Sequence, residues 1–390
     1  MTYYNAVKPL NIKPLYSAND IVDFTIKLRP GRAVKAGSLR VSGYLNIQKQ
    51  VPGSSNWIPC TKADSVFVSP YAGVHSFFRN SAVSVNDRIL EQNSMLPRWA
   101  SMVKQSKLTL EGINTSSMAT LELCGSQNNV ALLGSEVAPN TVTLPGVVGE
   151  ILSIPFSFHP EIALNKSSAD LGESRFPQMK ILFNMCSAIE ALYSTAHPLY
   201  IEDNIAALQY SLLDLQLGWY ETVEVPSREP VTFQTVSLIT QTLISSNATF
   251  AVNSPTLYDA ISMSFIKQAH RNKLEFDNYA CEYIPGIENI GSRVEATVSG
   301  NDQPIRFAIQ TYGELALNYW KSLAGDVKNS VMNTYSSQNG CWGIGYRFTT
   351  GINDRLSVNV ILNGLTNDQN PSTVGKASDC FIYVSGFTSV

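Results

Sequence analysis

The sequence predicts an all-β fold of two consecutive sandwich domains, and three observations carry that prediction. Apolar and polar residues alternate in short runs along most of the chain, helical periodicity is confined to three stretches, and a proline-punctuated polar segment interrupts the strands past mid-chain. At 390 residues the chain exceeds the usual single-domain size. At roughly 150 residues per domain that length suggests two units or one large one, either able to bury a core without disulfide or metal.

Val22, Phe24, Ile26 and Leu28 alternate with Asp23, Thr25, Lys27 and Arg29, the period of a strand with one wet face, and Pro30-Gly31 then turns the chain. Leu39, Val41, Leu45 and Ile47 repeat the pattern. Further strand-like runs cover Val83 and Val85, Leu108 and Leu110, Leu121 and Leu123, Leu152 to Phe158, Met179 to Met185, and Leu213 to Val225. About eight strands by that point complete one sandwich. Pro226 and Pro230 then bracket Ser227-Arg228-Glu229, which places the boundary there. The pattern restarts at Val231 to Phe233, Phe250 to Val252, Ile261 to Phe265, Val294 to Val298, Ile305 to Ile309, Leu356 to Leu362 and Cys380 to Val384.

Three short helices are expected: one opened by Ser69-Pro70, one carrying Leu96, Trp99, Ala100, Met102 and Val103, and one over Gly313 to Ala324. All lie in long inter-strand connections, which disfavours an α/β fold. FVSPYAGVHSFF and FAVNSPTLYDAISMSFI form a faint internal echo that hints at duplication.

Composition excludes more than it assigns. Charged residues make up only 15% of the chain and the net charge is −3, with no run of like charges, so no electrostatic footprint for nucleic acid exists and direct nucleic-acid binding is not expected. The first residues lack the apolar core of a signal peptide, and no window is apolar enough to span a membrane as a helix. Cys60, Cys124, Cys186, Cys281, Cys341 and Cys380 have no metal-ligand spacing and read as buried thiols. Sequons at Asn114, Asn165 and Asn247 carry little weight without a secretory signal.

His75, His159, His197 and His270 are scattered, and neither a nucleophile elbow nor a metal motif occurs, so no catalytic, cofactor or metal residues are assigned and the chain is not expected to be an enzyme. Asp302 and Asp368 read as turn formers, and Gly343 and Gly345 as a bulge or a close backbone approach. Two alternatives remain. Trp57, Tyr71 and Trp342, with Trp99, Trp219 and Trp320, could build a carbohydrate- or receptor-binding platform, although core or interface packing is favoured. Glu221 and Glu224 are the one carboxylate pair to inspect for glycoside hydrolysis.

The order of two strands, SPYAGVHSFFRNSAVSVNDRILE, the helical LPRWASMVKQ, ILSIPFSFHP, QMKILFNM and LQYSLLDLQLGWYETVEV resembles the first jelly roll of the double jelly-roll major capsid proteins. That group includes bacteriophages of the PRD1 and PM2 types and adenovirus. The resemblance spans about residues 17 to 390 as architecture. It implies an arm over 1–16, a first eight-stranded jelly roll over 17–226 and a second over 227–390. It also implies a homotrimer that tiles the icosahedral shell of a tailless virus, most readily a bacteriophage. Neighbouring trimers, minor capsid and vertex proteins and the lipid of an internal membrane are the implied partners, and a virion made in the host cytoplasm the location. Loops over 49–80, 126–150 and 311–342 would decorate the outside or lock neighbours. The arm carries Lys8 and Lys13 without an acid, and adjacent Tyr3 and Tyr4. These four residues are the candidates for contact with a membrane or a neighbouring trimer.

Overall fold

A computed structural model describes residues 2–60, 66–69, 72–107, 141–142, 151–152, 154–194, 207–252, 257–298, 305–306, 312–323, 342–352 and 355–390. The strand-like runs at Leu108 to Leu110 and Leu121 to Leu123 lie outside these residues, as do most of the loops 126–150 and 311–342.

Eight strands build the first roll: β1 (Tyr3–Val7), β2 (Ile21–Lys27), β3 (Arg40–Gln50), β4 (Phe78–Val85), β5 (Arg88–Asn93), β6 (Ile154–Phe158), β7 (Gln178–Met185) and β8 (Ala207–Val223). One sheet runs β1-β8-β3-β6, extended by short strands at Arg32–Val34, Trp57–Pro59 and Leu171–Gly172, and the other runs β2-β7-β4-β5. The strands form as their alternation predicts. In β2 Val22, Phe24 and Ile26 are buried while their neighbours are not, and in the paired strand β7 Met179, Ile181, Phe183 and Met185 lie beside them on the same core-facing side of the sheet.

The second roll has β9 (Thr232–Leu243), β10 (Asn247–Val252), β11 (Tyr258–Lys267), β12 (Arg293–Val298), β13 (Ile305–Arg306), β14 (Ile344–Ile352), β15 (Leu356–Ile361) and β16 (Ser378–Ser389). Its sheets run β9-β16-β11-β14 and β10-β15-β12-β13. Numbered from each roll's first strand, both rolls therefore have one sheet of order 1-8-3-6 over another of order 2-7-4-5, the jelly-roll winding. Helix α1 (Leu96–Lys107) follows the fifth strand of the first roll, and α2 (Tyr312–Ser322) the fifth strand of the second. The repeat is one of topology. The FVSPYAGVHSFF echo runs into β4 whereas FAVNSPTLYDAISMSFI spans β10 and β11, so the two strings occupy non-equivalent places.

Two findings differ from the sequence reading. Residues 1–16 are not an arm outside the roll, because Tyr3 to Val7 pair residue by residue with Glu221 to Leu217 as its first strand. The Ser69-Pro70 helix is a single 3-10 turn at Gly73–Phe77. Gly343 and Gly345 serve a close approach: a Cβ on Gly343 would run into the Tyr319 ring, and one on Gly345 into the Ser322 hydroxyl, so their bareness lets α2 lie against β14.

Candidate functional site

Two features of the folded chain bear on function: the junction between the rolls and the outer edge at β1. The junction is a reciprocal exchange. Helix α1 comes from the first roll, yet its Trp99, Met102 and Val103 belong to the core of the second. Tyr279 comes from the second roll's connection between β11 and β12, yet it is buried in the core of the first, with its hydroxyl 3.0 Å from Cys186 Sγ. Val231 and Phe233 are likewise in the first core, Phe233 meeting Phe176 edge-on at 5.9 Å. Strand β16 is buried without interruption from Ser378 to Gly386, because Trp99 packs on Tyr383 at 5.3 Å and the Arg98 guanidinium lies 4.4 Å over Phe381.

Three charged groups stand in this junction, Arg98 and Glu91 buried and Asp277 half-buried. Arg98 donates to the carbonyls of Ala280 at 2.9 Å and Asn278 at 2.5 Å. Asp277 accepts from the Tyr279 N–H and, across the junction, from the Ser69 hydroxyl at 2.9 Å. Glu91 on β5 accepts the N–H of Ala163 at 2.8 Å with one oxygen and the N–H of Val236 on β9 at 3.0 Å with the other, so one carboxylate ties both rolls. Desolvation by burial dominates both acids. It pushes Glu91 up to about 7 and Asp277 up to about 6, against the smaller lowering effects of Lys166 and the two N–H groups on Glu91, and of the Tyr279 N–H, Ser69 and Arg98 on Asp277.

A pH dependence follows. A carboxyl group whose folded pKa is raised makes its full contribution below its unfolded value, and loses it as pH rises through the folded value. Thermal stability is therefore expected to fall from pH 5 to pH 8, by on the order of 3 kcal/mol through Glu91. Glu91→Gln should flatten most of that slope while leaving the share due to Asp277, and it should cost about 1–3 kcal/mol at pH 5 because its amide nitrogen cannot accept the second N–H. Melting curves of both proteins across this range check it; an unchanged slope in Glu91→Gln would refute the assignment.

At the β1 edge, Tyr3 and Tyr4 are 46% and 56% exposed, so the strand presents aromatic rings outward. Tyr4 meets Tyr220 edge-on at 5.8 Å, and Arg32 lies 5.6 Å over the Tyr3 ring. The two cations of this stretch are turned back on the chain: Lys8 pairs with Asp214 at 2.9 Å and Lys13 with Asp20. Leu10, Ile12 and Leu15 on the connection from β1 to β2, and Ile21 at the start of β2, are exposed as well.

The other candidates do not converge. Cys60, Cys186, Cys281 and Cys380 are buried outside any disulfide, while Cys124 and Cys341 lie outside the described residues. Asn165 has its amide committed to Leu39 and Pro160, which ties down that sequon. Glu221 is buried, accepting from Asn5 and facing Arg32 at 3.6 Å, whereas Glu224 accepts from Ser174, so each carboxylate of the pair has its own structural partners. Of the tryptophans only Trp57 reaches the surface, at 36% exposure; Trp99, Trp219, Trp320 and Trp342 are buried, and Tyr71 lies outside the described residues. His270 stacks on Phe276 and bonds Glu282. No group of three His, Cys, Asp or Glu able to hold a metal occurs among the described residues, and no described helix is long and apolar enough to cross a membrane.

No protein-family model matches the sequence and no curated protein matches it. Solved structures match along its length. The Faustovirus major capsid protein aligns over 100% of this chain and 90% of its own, with TM-score 0.63 and 8% identity. The PBCV-1 virus capsid structure aligns over 100% and 94%, at 0.56 and 8%. The mavirus major capsid protein aligns over 99% and 90%, at 0.53 and 9%. At such identities the likeness speaks for architecture. Both rolls and their order are matched, and the chain has the double jelly-roll fold found in these viral major capsid proteins.

Proposed function

We propose that this protein is a non-catalytic major capsid protein, a component of the virion that assembles with other capsid subunits into an icosahedral shell. The observation that carries the reading is the pair of like-wound rolls locked by a buried junction, matched over the whole chain by capsid proteins. A rigid two-roll block suits tiling, since it presents lateral faces of nearly repeating shape to its neighbours.

The finer reading is a homotrimer of six rolls, with the first sixteen residues and the first roll together over 1–226 and the second roll over 227–390. Adjacent trimers, minor capsid proteins and vertex proteins are its partners, an internal membrane a further one, and a bacteriophage the source on the sequence resemblance. Light scattering on the purified protein tests it: a particle of three times the chain mass, seen as hexagonal blocks by negative-stain microscopy, is expected. A monodisperse monomer at micromolar concentration would overturn it. The carbohydrate-binding alternative gains no support, because among its described aromatic residues only Trp57 is exposed.

A further inference from the structure

We infer that Asn363 is a site of spontaneous covalent modification, an amide that deamidates in the folded protein, and that its loss unlatches two loops at one end of the second roll.

Strand register brings those loops together. Arg293 opens β12 opposite Ile361, the last residue of β15, so the connection arriving at β12 and the one leaving β15 emerge side by side. Side chains then tie one to the other. Asn289 Nδ2 donates to the carbonyls of Asn363 at 3.0 Å and Gly364 at 3.1 Å, and the Asn363 N–H donates to Ser292 Oγ at 2.8 Å. The Ser292 hydroxyl in turn donates to the Gly286 carbonyl at 2.7 Å, and Asn363 Nδ2 donates to the Ile290 carbonyl at 3.4 Å. A Cβ on Gly291 would lie 2.8 Å from Asn363 Nδ2, so a bare backbone lets that amide reach across.

Asn363 precedes Gly364, and this order sets up an intramolecular displacement. The Gly364 nitrogen, having lost its proton to solvent base, attacks Asn363 Cγ. An N–Cγ bond forms, the Cγ–Nδ2 bond breaks, and ammonia departs from a cyclic imide. Water then opens either imide carbonyl, leaving aspartate or isoaspartate in place of the asparagine. Glycine favours the attack, since it sets no Cβ beside the nitrogen and leaves the backbone free to swing.

Folding ordinarily blocks this chemistry by pairing the backbone N–H and fixing the side-chain amide. Neither restraint operates at Asn363. Both residues are exposed, the Gly364 N–H donates to no acceptor among the described residues, and the side-chain amide is held only at the long limit of hydrogen bonding. The Asn289 amide on the Asn363 carbonyl also draws charge from the peptide whose nitrogen must be deprotonated. Other asparagines lack this combination. Asn93, before Ser94, is 1% exposed; Asn86, before Asp87, has its amide held by the Arg175 carbonyl at 2.7 Å; the Asp20 N–H that follows Asn19 is paired with the Ser17 carbonyl. Asn370 precedes Pro371, which has no N–H to give up. The Asn339-Gly340 pair lies outside the described residues.

The product cannot hold the latch. A carboxylate has no hydrogen for the Ile290 carbonyl and meets it acceptor to acceptor, and isoaspartate also lengthens the main chain between the Ser292 and Asn289 bonds.

The test follows the amide and the loops separately. Full-length protein is aged in mildly alkaline buffer, folded and in urea, and the tryptic peptide Leu356 to Lys376 is read by fragment-ion mass spectrometry. Loss of the amide, seen as the mass shift from amide to acid at Asn363, should keep pace in the folded and unfolded samples, and Asn363→Gln should abolish it. Hydrogen exchange over 284–292 and 362–376 should quicken in the aged protein, and in Asn363→Asp from the outset. An Asn363 amide that survives in the folded protein while the unfolded chain loses it overturns the site, as does conversion at Asn359 or Asn367 with Asn363 intact. Conversion at Asn363 with unchanged exchange in the aged wild type overturns the unlatching.

Discussion

Trp99→Ala is expected to lower stability by about 3–5 kcal/mol, although Trp99 belongs in sequence to the first roll, and to release the second roll first. The residue is 1% exposed and packs on Tyr383 of β16, with the Lys166 ammonium 5.2 Å over its ring. Truncation leaves a cavity between two elements that cannot close on it. On one side stands the last strand, paired along its length with β9 and β11; on the other stands α1, held by the Met95 carbonyl that accepts the Tyr383 hydroxyl. Loss of the Trp99 ring should therefore uncouple α1 from the second core. Scanning calorimetry checks this: the wild type should melt in one transition, and Trp99→Ala in two, the lower belonging to the second roll. A single transition shifted by less than about 1 kcal/mol would mean that α1 is an ornament on the surface.

That outcome bears on how much of the molecule is legible in the sequence. Strands β2 and β7 were, because one face of each is dry and the other wet, and alternation records that contrast. Strand β1 was not: in Tyr-Tyr-Asn-Ala-Val the outward residues are the large ones, so the run carries no inward apolar signal, and backbone pairing to β8 holds it. The stripe of Leu96, Trp99, Ala100, Met102 and Val103 marked α1 correctly as a helix. The stripe says nothing of the opposite face, where Arg98 and Ser101 are buried against residues 278–280 of the second roll. Glu91 and Arg98 look in sequence like surface charges, and only long-range contact, over 145 and 180 residues, makes them junction groups. The Tyr3 and Tyr4 pair was legible as an unusual N-terminal feature. Its place on a sheet edge was not, since the partner strand lies 216 residues away in the Asn5 to Glu221 contact.

The second large effect is at Arg98. Arg98→Met keeps most of the side-chain volume and is expected to cost about 3–5 kcal/mol at pH 8, because it removes one member of a buried charged cluster. The carbonyls of Ala280 and Asn278 lose their donors, and Asp277 loses the cation whose attraction lowers its pKa. The pH dependence separates charge from packing. Without Arg98 the folded pKa of Asp277 moves above its present value of about 6, so its carboxylate becomes more costly wherever it is ionised. A raised folded pKa penalises stability as pH climbs through it. The deficit of Arg98→Met should therefore be larger at pH 8 than at pH 5, where Asp277 is protonated in the folded variant. Arg98→Lys should rescue little, because one ammonium cannot reproduce a planar fork that serves two carbonyls and stacks on Phe381. Thermal denaturation of both variants at the two pH values decides the matter: an equal deficit at pH 5 and pH 8 would assign the residue a packing role alone, and no deficit at either would remove Arg98 from the bond between the rolls.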